Sequence, residues 1–468
     1  MDAAYQFAET FSTIRYDDLP TDLVEVTKKE ILDTMGVCLA GASEAGAKEL
    51  RDIITDWGGK EESSILYWGN KVPAPNAAQV NATMIHTLDY DDVHDDAVMH
   101  PGVVAIPTCL AMGELRAGMS GKEFITATAL GVDMICRFGL ATRPGENIVA
   151  TGWHLTTLYG YMTSAAVAGR LLGLNLEGIV DAMGIAYHRC SGNGQSTLDG
   201  GLTKRMGPGF AIYSGISSAI MASKGITGAK NPVEGKWGLY AIYHQGKYDP
   251  QRLTADLGKT FEGVNVSIKP YPCCRGNHVF IDATMELLSK NNIQKEDITK
   301  VKIFSGEGDY ELLCVPFEIK GRPRNFVDAQ FSIPYNVANV IVRGKTTREA
   351  FTNDAVKDPD ILHILGKTEV ELDPAMNGGG PHKNEPGKVQ ITTKQGNVYT
   401  NQVDYPFGSP QRPMSYDDCS KKFRDCATYP AERLTSGNIE KIVEIIEHLE
   451  EVEDVRNILG LLNIDNQK

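Results

Sequence analysis

Near residue 265 the spacing of apolar side chains changes from the period of a helix to that of a strand, and this break limits the architecture more than any other feature. Before it, Val24, Ile31, Met35 and Cys38 fall on one helical face, with Thr21 and Asp22 as caps and Gly41 as a stop, which predicts a helix with a single apolar stripe. Ser120-Gly121-Lys122-Glu123 has a capping-box pattern and opens FITATALGVDMICRF, apolar on nearly every side, so a central buried helix is expected there. TTLYGYMTSAAVAGRLLGL (156–174) and GPGFAIYSGISSAIMASKGITG (207–228) predict two more, with small residues that let backbones approach. After the break, TKVKIFS (299–305) alternates with period two, and KVQITTK and NVYTNQV flank Gln395-Gly396 in the manner of a hairpin. VDAQFSIPYNVANVIVRG (327–344) reads as a helix, MNGGGPHKNEPGK (376–388) as a Gly/Pro-rich loop, and helical periodicity returns from Ser415. The expected fold is mainly α. A large all-helical domain is built from both chain ends, 1–265 and 405–468, and a smaller α+β domain occupies 266–404.

Charge narrows the functions open to such a chain. Among 468 residues, 46 basic and 60 acidic side chains leave a net charge of −14, with no basic run to offset it locally. That balance repels nucleic acid and anionic lipid, so neither is expected as a partner. The nine cysteines are scattered, with no C-x-x-C pair, and read as reduced core thiols. With no basic n-region at the start and no span of 18 apolar residues, the expected location is the cytoplasm, away from membranes.

Three segments concentrate chemistry. HTLDYDDVHDDAVMHPG (86–102) holds three of the ten histidines and five aspartates, a density of like charge that a fold keeps only where cations, histidines or buried hydrogen bonds offset it. Within it, Asp91-Asp92-Val93-His94-Asp95 satisfies DDxxD, a pattern that holds Mg²⁺ when the carboxylates lie one helical turn apart; its usual acidic companion motif is absent. His94-Asp95 also resembles the dipeptide of HD-type metal phosphohydrolases, without their remaining ligands at recognisable spacing. KPYPCCRGNH (269–278) gathers Lys269, Arg275 and His278 at a Pro-rich turn where the two patterns meet, and Arg and Lys are suited to carboxylates as fork and point charge. STLDGGLTKRMGPGFA (196–211) places Lys204 before a buried helix, where it can meet an anion. Neither Gly200-Gly201 nor Gly378-Gly379-Gly380 sits between a strand and a Lys-Ser/Thr helix start, so nucleotide binding has little support.

Taken in order, HTLDYDDVHDDAVMHPG, GWHLTT, AGRLLGL, LTKRMGPGFA, KPYPCCRGNH followed by Ile281-Asp282-Ala283, AQFSIPY and PMSYDDCSKKF resemble the MmgE/PrpD family over nearly the whole chain. The resemblance implies a helical domain made from both chain ends with a smaller α+β lid, a homodimer, and no required cofactor. It also implies 2-methylcitrate dehydratase, cis-aconitate decarboxylase or iminodisuccinate epimerase chemistry on a small polycarboxylate. All three break a bond beside a carboxylate, so fixed cations must meet the growing negative charge and a positioned base and acid must handle protons.

By the same resemblance Asp89, His100, Lys204, Lys269 and Tyr335 are the expected catalytic residues, with His154, Arg275, His278 and Cys274 as substrate neighbours and no metal. Lys204, Lys269 and Arg275 would hold carboxylates, His100 would act as acid or base, Asp89 would orient a histidine or substrate, and Tyr335 would donate a hydrogen bond from the smaller domain. Val93 stands where a hydroxyl residue is common in the family, Gly207 where a histidine often follows the Thr-Lys motif, and Cys274 where the decarboxylase has a histidine, which turns the expectation toward a hydro-lyase, with decarboxylation or epimerisation as alternatives. Readings of other kinds are an Mg²⁺-dependent DDxxD enzyme and a catalytically degenerate dimeric binding protein.

Overall fold

The computed structural model describes residues 1–142, 152–378 and 385–464. Its chain forms two compact units, one of Met1–Ile268 with Ser415–Lys468 and one of Lys269–Met414.

The first unit is a helical bundle. Seven of its helices position the chemistry: α1 (Thr21–Gly41), α2 (Ala74–His86), α3 (Gly102–Arg116), α4 (Gly121–Ala141), α5 (Leu155–Leu171), α6 (Thr203–Ser223) and α7 (Tyr416–Cys426). Helix α1 departs from the single-stripe expectation. Pro20 holds its N-cap position without a side-chain bond, and from Leu23 to Gly41 nearly every side chain is buried, Lys28, Glu30 and Asp33 among them. A charged residue enters such a core only with a partner, so this helix carries polar contacts on what the sequence pattern treats as its outer face. Helix α4 begins as expected, Ser120 Oγ accepting from Glu123 N at 3.2 Å. By length and composition α4 is apolar enough to cross a membrane, yet 94% of its most apolar window is buried inside the protein, which is the signature of a central core helix. Small residues let α5 and α6 touch: a Cβ on Gly215 would lie 1.8 Å from Ser164 Oγ, a distance no side chain tolerates.

The second unit carries a four-stranded sheet, β1 (Ile298–Ser305), β2 (Thr368–Leu372), β3 (Gly387–Thr393) and β4 (Val398–Val403), in the order β2-β1-β3-β4. The β1–β2 pair is parallel and the other two are antiparallel, with Ile303 opposite both Val370 and Val389. Alternation sets the buried face: Val301 and Ile303 of β1 and Val389 and Ile391 of β3 enter one core with helix His278–Asn291. The segment read as one helix over 327–344 is two, Phe326–Gln330 and Ile333–Arg343, because Ser332 caps the second by accepting from Tyr335 N at 3.1 Å and Pro334 fixes its first turn. Residues 379–384 of the Gly/Pro-rich segment lie outside the described residues.

Candidate active site

In the first unit the histidine- and aspartate-rich segment connects α2 to α3 without a helix, its one regular piece a two-residue strand, Val93–His94, paired antiparallel with Val266–Ser267. Its carboxylates therefore do not stack one turn apart, and each finds a different partner. Asp91 Oδ2 accepts from His86 Nδ1 at 2.7 Å, Asp92 Oδ2 accepts from Gly102 N at 3.0 Å, and Asp95 Oδ2 accepts from Ser267 Oγ at 2.6 Å. These separate commitments remove the geometric basis of the DDxxD reading. Asp89 sits in the left-handed region with φ of +52°, a strained setting for a residue that is not glycine, and Lys204 Nζ on the first turn of α6 donates to its Oδ1 at 3.1 Å.

Three imidazoles gather here. The ring of fully buried His86, the last residue of α2, lies 4.9 Å from that of His100 and 5.6 Å from that of His154. His100 Nδ1 is 2.7 Å from the Asp92 carbonyl. A carbonyl only accepts, so the contact places the proton on Nδ1 and makes Nε2 the lone-pair nitrogen of the neutral ring. The His100 backbone N–H in turn donates to Thr156 Oγ1 at 3.0 Å. His154, at the N-cap position of α5, has its Nδ1 2.7 Å from Thr157 Oγ1. Desolvation, then the positive field of His86 and Lys204, holds its pKa well below the ordinary imidazole range, so it is neutral near pH 7.

Behind this layer lies a buried group of acids. Glu30 of α1 and Asp92 are both sealed from solvent and hydrogen-bonded to each other; desolvation, then the negative charges of Asp91 and Asp33, push Asp92 up to about 7, while desolvation and the neighbouring Asp92 push Glu30 well above its usual value. His86, Asp91 and His100 each offer a ligand atom within 4.8 Å of the others, a spacing open to a metal ion. In both rings Nδ1 is committed to a hydrogen bond, to Asp91 in His86 and to the Asp92 carbonyl in His100.

Gly207 meets a specific neighbour. A Cβ there would lie 2.3 Å from Thr157 Oγ1, so the hydroxyl that holds His154 fills the space a side chain at 207 would need.

In the second unit, the turn 269–278 is held by Gln330. Its carbonyl accepts from Cys274 N at 3.1 Å and from Asn277 Nδ2 at 2.9 Å, and its Nε2 donates to the Pro272 carbonyl at 3.1 Å. Lys269 and His278 are fully enclosed, Arg275 is buried and Cys274 is half-buried. Arg275 Nη1 lies 3.4 Å from His278 Nδ1, and the cation can only donate, so His278 accepts there and keeps its proton on Nε2, 3.3 Å from the Cys273 carbonyl. Tyr335 lies elsewhere: its ring is in the unit's hydrophobic core and its hydroxyl donates to the Ala350 carbonyl at 2.5 Å. That bond uses the donor expected to face substrate, and packing is the role its surroundings define. His86, Thr157, Glu30 and Asp33 carry no expectation from sequence, although His86 and Thr157 stand inside motifs that draw attention to themselves.

Tethered imidazoles stand here beside a lysine–carboxylate pair, and the chain is an enzyme. It belongs to the MmgE/PrpD family: the model of the MmgE/PrpD N-terminal domain matches residues 5–251 and that of the C-terminal domain matches residues 271–451. Cis-aconitate decarboxylase of Aspergillus terreus is 25% identical over 453 residues, covering 92% of this chain and 90% of the relative. The human protein of that name is 25% identical over 458 residues, covering 94% and 90%. Mitochondrial 2-methylcitrate dehydratase of Yarrowia lipolytica is 26% identical over 456 residues, covering 90% and 82%.

Proposed function

We propose that the protein is a lyase acting on a small di- or tricarboxylate, a hydro-lyase of the 2-methylcitrate dehydratase kind working without a cofactor. The observation that carries this reading is the gathering of His100 and His154, each fixed through its Nδ1, around His86, beside the Lys204–Asp89 pair. Lys204 meets a substrate carboxylate. Neutral His154 takes the proton from the carbon beside that carboxylate; the C–H electron pair becomes the C=C bond, the C–O bond on the neighbouring carbon breaks, and the departing hydroxide takes a proton from Nε2 of His100 in its imidazolium form and leaves as water. Lys269 and Arg275 are proposed as further carboxylate-binding groups on the chemistry of their side chains alone.

The names of the Aspergillus and human relatives favour a second reading, decarboxylation, in which CO₂ leaves and the carbon it left takes a proton. One experiment separates the two. The protein is incubated in D₂O, with and without EDTA, with citrate, 2-methylcitrate, cis-aconitate or iminodisuccinate and followed by proton NMR. The hydro-lyase reading expects dehydration and deuterium exchange that survive EDTA. Release of CO₂ with deuterium in the product instead selects the decarboxylase, exchange without net loss selects an epimerase, and silence on every substrate overturns all three. A cytoplasmic homodimer completes the proposal, and light scattering at about twice the 51.0 kDa chain mass tests the dimer.

A further inference from the structure

The segment that carries Asp89 to Asp92 is held from behind by a residue more than three hundred positions later. Lys422 of α7 is almost wholly buried, its side chain 4% exposed, with Nζ 2.7 Å from Asp33 Oδ1 on α1. The same Nζ donates to the Tyr90 carbonyl at 2.9 Å and lies 3.7 Å from the centre of the Tyr90 ring. One ammonium therefore meets three groups: a sealed carboxylate, a backbone carbonyl and an aromatic face. Two residues beyond Tyr90, the Asp92 carbonyl accepts the His100 Nδ1 proton while the Asp92 carboxyl is pinned to Gly102 N and to Glu30, which stands one turn before Asp33 on α1. Asp33, Asp91 and the Glu30–Asp92 pair crowd acidic groups into the buried side of this segment, and Lys422 pairs with Asp33.

We propose that Lys422 is a positioning residue for His100: by clamping Tyr90 and neutralising Asp33 it fixes the carbonyl of Asp92 and so dictates which nitrogen of His100 carries the proton. This rests on the reading of His100 as an acid–base group, and it adds a requirement that no side chain in the reacting layer supplies. Removal of the lysine frees the Tyr90 carbonyl to turn, the Asp92 carbonyl turns with it, and His100 Nδ1 loses its 2.7 Å acceptor and keeps only Asp91 Oδ2 at 3.4 Å, which weakens the selection of its tautomer.

The test is a long-range ¹H–¹⁵N spectrum of full-length protein labelled in histidine, which reads ring tautomers whether or not a substrate is known. The His100 signals are assigned by their loss in His100→Gln. Wild type is expected to show His100 as the Nδ1–H form, and Lys422→Met to show it averaged between tautomers. With whichever polycarboxylate turns over, kcat should fall at least tenfold while KM moves less than threefold. Since Lys422→Met strands a buried carboxylate and can prevent folding, Lys422→Met/Asp33→Asn removes both charges and is read in the same way, with circular dichroism and a melting curve reporting the fold. The proposal is overturned if either folded variant keeps the wild-type His100 pattern, or if wild type itself shows the Nε2–H form. Failure of every substrate would sink the functional reading and leave this spectroscopic result standing on its own.

Discussion

Gly207 offers a test in which helix propensity and local packing predict opposite signs. It lies within α6, where replacing glycine by alanine ordinarily stabilises by about 1 kcal/mol. Here the new Cβ would stand 2.3 Å from Thr157 Oγ1, with Thr157 Cβ and Cγ2 at 3.5 and 3.6 Å, so relief requires the hydroxyl to turn away. Turning it breaks the 2.7 Å contact with His154 Nδ1 and leaves a polar pair unmade in a closely packed place, a cost of about 1–3 kcal/mol. The net effect of Gly207→Ala is therefore a loss of up to about 2 kcal/mol, whereas in a Thr157→Ala background the same change meets no hydroxyl and returns the ordinary gain of about 1 kcal/mol. Urea melts of wild type, both single variants and the double variant measure this cycle directly. The expected coupling is about 1–3 kcal/mol, and activity should fall in all three variants because His154 loses its partner in each. If Gly207→Ala has the same effect on stability in both backgrounds, the contact does not carry the energy assigned to it.

The acid–base readings give further expectations. Burial lowers the folded pKa of His154 below the ordinary value of about 6.5, so the unfolded chain takes up its proton first on acidification; the contribution is complete above about 6.5 and is lost as pH falls through the folded value. Wild type should thus lose stability from pH 7 to 5 more steeply than His154→Gln. Asp92 runs the other way: raised to about 7, it stabilises in acid and loses that contribution as pH rises from about 4 through 7. Asp92→Asn removes this titration, and melts at pH 5 and 8 should show the variant gaining on wild type by a few kcal/mol at the higher pH. Lys204→Ala, which deletes the 3.1 Å pair with Asp89, and Lys269→Met should both fold by circular dichroism and lose kcat/KM by at least a hundredfold; normal turnover by both removes the carboxylate-binding assignment.

Much of this molecule can be read from residue order, and the part that cannot has a physical reason. Alternation exposes β1 and the β3–β4 hairpin because a half-buried strand must alternate, and Ser120 announces α4 because a helix start needs an acceptor for its orphan N–H groups. The break at Ser332 is also written in Ser-Ile-Pro, but the apolar run on both sides masks it. Asp89, His100, His154 and Lys204 can be named in advance because their motifs are dense and local. Glu30 and Asp33 cannot, since a helix pattern assigns polar residues to the solvent side, and only the arrival of Asp92 and Lys422 shows that this side is core. Tyr335 illustrates the reverse: its motif is legible, but the acceptor of its hydroxyl, Ala350, is a backbone group that no motif announces.

The first unit is made from two stretches of chain separated by residues 269–414. During synthesis this means that the histidine- and aspartate-rich segment emerges from the ribosome long before the ammonium that braces it. At ~5–20 residues per second the intervening stretch takes ~7–30 s to make, and throughout that interval Asp33 and the Tyr90 carbonyl wait without Lys422. A nascent or truncated chain ending between Arg275 and α7 already contains Asp89, His100, His154, Lys204, Lys269 and Arg275 yet lacks the brace, so on this proposal His100 is fixed only when translation is nearly finished.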